Sequence, residues 1–116
     1  MNNKKLFAAL MAIAIVNPDG FTVDAKTLQP ITSGFAVAVA ETQNSFGRDG
    51  LNRVINHVTN NPKINAFGGW LNSSNNQFYW DGTIIINDLS EAIRIARANG
   101  QIAIFDLDNL QEITIK

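Results

Sequence analysis

The chain contains no cysteine. That excludes disulfides, thiol nucleophiles and cysteine-based metal sites, and it permits a reducing compartment. There is one histidine, His57. One imidazole with scattered carboxylates has no ligand spacing, so no metal centre is expected. A serine nucleophile needs a base and a third orienting group, and no serine is marked as a partner for His57. His57 falls mid-helix beside an apolar stripe and reads as structural or exposed. There is no basic run and the net charge is -1, which argues against a nucleic-acid duplex as partner. Charged residues make up 16% of the chain, below the usual share of about 25%. So thin a coat of charge fits a homo-oligomer that hides part of its surface. A neutral polar surface, supplied by abundant Asn, is the plainer alternative. No apolar run is long enough to span a membrane as a helix.

What is present fills one core. The 116 residues predict a single α+β domain, 1–116, and 46% are hydrophobic. Asn2-Asn3-Lys4-Lys5 followed by Leu6 to Val16 resembles the charged and apolar parts of a secretory signal. The run passes into Asn17-Pro18-Asp19-Gly20 without a small-residue cleavage site, and a cytoplasmic location is expected. Met11, Ile13 and Ile15 alternate with Ala12, Ala14 and Val16, which predicts a buried strand; a helix or a signal is the alternative. Asn17 to Gly20 has strong turn chemistry. Phe21 to Val23 then returns as a short strand, making an N-terminal hairpin.

From Gly34 to Glu41 large residues alternate with alanines, the pattern of a half-buried strand. Its alanine face would let a helix or second sheet approach closely. A helix follows from about Arg48 to Asn60, with Leu51, Val54, Ile55 and Val58 on one face and Pro62 beyond its end. Ser45 is a plausible cap. Ile64 to Leu71 reads as a strand with Gly68-Gly69 inside it, and Gln77 to Trp80 as another. Asp81-Gly82 is either a bulge in one long strand or a tight hairpin, the bulge being preferred. Asp88 and Glu91 have the spacing of a capping box, and Leu89, Ala92, Ile93 and Ala96 form the buried stripe of a second helix that Asn99-Gly100 ends. Ile102 to Phe105 and a terminal strand through Ile113 and Ile115 complete the chain. The expected fold is a mainly antiparallel sheet with two helices on one face. It comprises a βαββαβ, ferredoxin-like core plus the N-terminal hairpin and a C-terminal strand. The other face must meet a partner, water or a ligand.

Asp81, Asp88, Glu91, Asp106 and Asp108 are candidate acids and bases. Each has a structural reading, in a turn, a cap or a hairpin, so the chain is expected not to be an enzyme and to need no cofactor. The junction Glu41-Thr42-Gln43-Asn44-Ser45-Phe46-Gly47-Arg48 is a better ligand candidate. A helix start offers free N–H groups and partial positive charge, so Asn44, Ser45 and Arg48 can hold an anion such as phosphate. Trp70, Phe78, Tyr79 and Trp80 offer flat faces for a base. Phe78 and Trp80 share one face of their strand and Tyr79 the other. Arg97, like Arg94 and Arg53, reads as a solvated helix residue that can alternatively reach a neighbouring subunit's ligand. The site expected is therefore Asn44, Ser45, Arg48, Trp70, Phe78, Trp80 and Arg97.

Four strings carry a resemblance: Glu41-Thr42-Gln43-Asn44-Ser45-Phe46-Gly47, Gly68-Gly69-Trp70, Gln77-Phe78-Tyr79-Trp80 and Gln101-Ile102-Ala103-Ile104-Phe105-Asp106-Leu107. Together they resemble short proteins of phages and mobile elements, and size and layout are similar to the phage anti-Thoeris sponges. The resemblance spans about Gly34 to the end. It implies an oligomer that sequesters cyclic ADP-ribose isomers, in some members cyclic oligonucleotides, without cleaving them, so blocking an anti-phage defence. It supplies no residue-by-residue contacts. The alternative is a small interaction module of a mobile element that binds a host protein.

Overall fold

The computed structural model describes residues 2–115. The first surprise is α1, Asn3–Val16, where a strand was expected. The Asn2 side chain accepts from the Lys5 amide at 2.9 Å, capping it. Leu6 and Leu10, four apart, are its buried residues. Leucine, methionine and alanine favour a helix over a strand, and no glycine or proline interrupts the run. The alternation at Met11 to Val16 is the coincidence of a short apolar tract. The expected N-terminal hairpin is consequently absent. β1, Gly20–Asp24, pairs antiparallel with β4, Ala66–Asn72.

β2 is Phe35–Ala38, shorter than expected. It ends in a 3-10 turn at Ala40–Thr42 that leads into a two-residue strand, β3, Ser45–Phe46. α2, Gly47–Thr59, follows and buries Leu51, Val54, Ile55 and Val58 as its periodicity predicts. β5, Gln77–Ile86, is one strand through Asp81-Gly82. Its register against β4 runs unbroken from Asn72↔Gln77 to Ala66↔Thr83, so there is neither bulge nor hairpin. Gly82 serves packing instead. A Cβ there would lie 2.9 Å from Val58 and 3.1 Å from Ile64. α3, Leu89–Ala98, is capped by the Asp88 carboxylate, which accepts from the Glu91 amide at 2.9 Å. β6, Ala103–Asp106, and β7, Gln111–Thr114, close the fold.

The seven strands form one open antiparallel sheet in the order β1-β4-β5-β2-β6-β7, with β3 also on β5. α2 and α3 cover the same face. Val37 meets Ala92 and Ala96 of α3, while Trp80 and Phe67 share a core with Val54, Val58 and α1's Leu6 and Leu10. β2 alternates as expected, but its alanines do not receive a helix. Ala36 and Ala38 point to the helix-free face and line a hollow there. Among the described residues no helix is long and apolar enough to cross a membrane.

Candidate functional site

β5 shares one edge between two partners. β2 pairs with Thr83 to Ile86 and β3 with Tyr79 and Trp80. Between them the 3-10 turn takes the place of a strand. Thr42 Oγ1 accepts from the Gly82 amide at 3.1 Å, and Val39 N donates to the Gly82 carbonyl at 3.2 Å. Where the chain steps aside, the helix-free face opens into two hollows of about 460 and 670 Å³. Both are lined by Ala38, Trp70 and Asp81. The smaller adds Gln43, Asn44, Asn72 and Tyr79. The larger runs toward Ile31, Phe105, Leu107 and Leu110.

Cross-strand register sets an aromatic ladder on this face. Phe46 of β3 lies opposite Tyr79 of β5, which lies opposite Trp70 of β4. The Trp70 and Tyr79 rings stack at 4.9 Å with 18° between planes, and Phe46 leans on Tyr79 at 5.4 Å. Trp70 is 46% exposed, so one end of the ladder is free to receive a ring. Beside it Gly20 has no side chain. A Cβ there would come within 2.8 Å of the Gly69 carbonyl and 3.3 Å of Trp70 Cα.

Asp81 is two residues beyond Tyr79 on the same face. Opposite it in β4 is Gly68, where a Cβ would collide with the carboxylate. Thr83 donates its hydroxyl to Asp81 Oδ1. Burial raises the Asp81 pKa to about 6, against a smaller lowering by Thr83. The other candidate acids are taken up by the fold. Asp88 caps α3, Glu91 pairs with Arg94, Asp106 accepts from the Asp108 and Asn109 amides, and Asp108 accepts from the Gly34 amide. Among the described residues Asp81 alone of the five has neither a backbone donor nor a cationic partner on its carboxylate.

The expected site residues divide. Asn44, Trp70 and Trp80 come together at the smaller hollow. Trp80 is only 4% exposed, however, and its ring lies with Phe78 and Phe21 on the helix side. Ser45 is buried and is not the cap of α2, which Phe46 precedes without a side-chain bond. Its hydroxyl donates to the Thr42 carbonyl at 2.7 Å and accepts from Arg53. Arg48 turns to α1, its guanidinium 4.7 Å from the centre of the Phe7 ring. Arg97 donates to the Ile115 carbonyl at 3.3 Å. Neither arginine lines a hollow. His57 lies within 3.4 Å of the Asn61 amide, and no group of three or more His, Asp or Glu suited to a metal occurs among the described residues.

Arg53, read from sequence as solvated, fastens the loop. It donates to the Gln43 carbonyl at 2.6 Å and to Ser45 Oγ. Arg53→Ala should cost about 1 kcal/mol, as expected for exposed charge-assisted bonds. It should also speed hydrogen exchange at Gln43 to Phe46 more than in β4. Uniform exchange would show that the loop holds itself. The residues missed as a site are Phe46, Tyr79 and Asp81. The only signal was parity, which puts Tyr79 and Asp81 on one face of β5.

Fold and site together define a small α+β protein whose open sheet carries an aromatic ladder beside a hollow with a half-buried acid. No protein-family model, curated protein or solved structure matches the chain.

Proposed function

We propose that the chain is a non-catalytic binding protein that captures a flat, nucleotide-class small molecule on the helix-free face of its sheet. The observation that carries this is the Phe46–Tyr79–Trp70 ladder standing open beside the two hollows. Stacking on an aromatic contributes about 1–3 kcal/mol per base. The stacking role passes from Phe78 and Trp80, which face the helices, to Trp70 and Tyr79. Asn44, Gln43 and Asn72 offer neutral amides, and among the described residues no lysine, arginine or histidine lines either hollow. The base rather than the phosphate therefore provides most of the grip. Capture of a signal in this way would act by mass action, lowering its free concentration below its effector's threshold. In the anti-defence setting implied by the resemblance, the ligands are cyclic ADP-ribose isomers or cyclic oligonucleotides in the host cytoplasm. The same reading takes the β2–α2–β4–β5–α3–β6 block as a ferredoxin-like core. Its strands lie side by side as β4-β5-β2-β6, with both helices on one face.

Thermal-shift measurement against these nucleotides tests the proposal, because a ligand that binds only the folded state raises its stability. Bound ligand should be recovered unchanged after denaturation. Trp70→Ala should weaken binding about tenfold or more, the loss of one stacking contact. A hydrolysed product after incubation, or an unaltered affinity in that variant, would refute it. A second reading has its own observation. Phe105 and Leu110 are 38% and 75% exposed along the larger hollow, as a protein-interaction face or homo-oligomer contact requires. It predicts no shift with any nucleotide, and a change in mass on light scattering when Leu110 is replaced by Asp.

A further inference from the structure

Asp81 says what kind of ring edge the hollow accepts. Its carboxylate lies in the wall common to both hollows, in space that Gly68 leaves free. An ionised carboxylate only accepts hydrogen bonds, with about four lone-pair positions on two oxygens. The Thr83 hydroxyl fills one position on Oδ1, and among the described residues no donor reaches Oδ2. The charged groups that line the larger hollow with it, Asp19 and Glu112, are acids and supply no donor. What the site lacks is a pair of N–H groups arriving from the hollow. Two parallel N–H bonds to one carboxylate form the strong, geometrically specific arrangement.

The platform that would present such a pair is adjacent. Tyr79 and Trp70 are two cross-strand pairs along from Asp81 and Gly68, the next pair on the same face. Two strand residues span about 6.8 Å, so a fused ring laid along Trp70 brings its edge toward the carboxylate. Guanine carries a ring N–H next to an exocyclic amino group on one edge. Adenine has an acceptor nitrogen beside its amino group, which would face the carboxylate lone pair to lone pair. Hypoxanthine has the ring N–H but no amino group.

Resting on the nucleotide-class reading above, we propose that Asp81 makes this hollow selective for a guanine-type edge, two adjacent N–H donors on a flat ring stacked on Trp70. Of the ligands named there, this favours guanine-bearing cyclic oligonucleotides over cyclic ADP-ribose isomers, whose base is adenine. The acidic lining adds a second selection. Phosphates must point away from the hollow, so guanosine should bind at least as tightly as guanosine triphosphate.

Titration calorimetry at pH 7.5 with guanosine, guanosine triphosphate, inosine, adenosine and N-acetylarginine amide tests this. Guanosine should bind at least tenfold more tightly than inosine or adenosine, as a site built for a donor rejects the ring that lacks it. Asp81→Asn should abolish that preference, guanosine losing affinity and adenosine gaining it, because the asparagine amide offers one donor and one acceptor to adenine's ring nitrogen and amino group, with circular dichroism confirming the fold. Equal affinities for guanosine and adenosine would overturn the selectivity and leave the nucleotide-class reading standing. A preference that survives Asp81→Asn would do the same. Binding of the arginine amide ahead of guanosine would overturn it in favour of a peptide guanidinium. No response to any nucleoside or nucleotide would remove both.

Discussion

Asp81→Asn should stabilise the protein at pH 7.5 by about 3 kcal/mol and change it little near pH 4. The carboxyl's pKa rises from 3.8 to about 6 because burial strips water from the charge, and the Thr83 bond offsets only part of that. The difference between those two values corresponds to about 3 kcal/mol. The sign follows from proton binding. The folded state holds this proton more tightly than the unfolded chain. Stability from Asp81 is therefore fully present below pH 3.8 and lost as pH rises through about 6. Above that, the folded state carries a desolvated charge. Asparagine keeps the shape, can still accept from Thr83, and carries no charge at any pH.

Denaturant melts of both proteins at pH 7.5 and near pH 4 measure the difference. Comparison with wild type cancels Asp24, whose pKa backbone bonds from Thr27 and Lys26 lower and whose contribution runs the other way. A variant no more stable at pH 7.5 would show that the carboxylate is well solvated or paired, and Asp81 would lose its claim as the centre of the site. A domain's whole stability is about 5–15 kcal/mol. A side chain that forfeits a fifth or more of that, at the wall of a hollow, is the pattern expected where function opposes stability.

Local periodicity made α2 legible, and the Asp88 cap made α3 legible, because both signals sit within a few residues of the helices they describe. It misjudged α1, where alternating alanines imitate a strand, and it missed the pairing of β1 with β4. No local pattern marks that partner more than forty residues away. The same limit explains the site. Parity separated Tyr79 from Phe78 and Trp80, but which face the helices cover depends on where α2 lands. The arginines exchanged roles for a geometric reason. Helical side chains lean toward the helix N-terminus. Arg53, six residues into α2, therefore reaches back to Gln43 and Ser45, whereas Arg48 lies on the side that meets α1.

Gly50→Ala should destabilise the protein by about 2 kcal/mol, although helix propensity alone favours alanine by about 1 kcal/mol. Gly50 lies in the first turn of α2. A Cβ there would be 2.5 Å from the Ser45 carbonyl carbon and 3.1 Å from its Cα. Those are backbone atoms, and they cannot retreat. Ser45 is paired with Trp80 in β3 and held through its hydroxyl by Thr42 and Arg53. Overpacking of this kind costs about 1–3 kcal/mol and sometimes more. The contrast is Gly47, whose φ of +70° is strained for alanine but whose Cβ would meet nothing within 4 Å. Gly47→Ala should cost about 1 kcal/mol, from conformation alone. Relief of the Gly50 clash must move β3 or the start of α2, and either displaces Phe46 against Tyr79 at the end of the ladder. The variant should thus lose ligand affinity and shift the fluorescence of Trp70 as well as melt earlier. If Gly50→Ala melts at or above the wild-type temperature, helix α2 is not wedged against β3, and the packing that holds Phe46 against Tyr79 is looser than the Gly50 contacts imply.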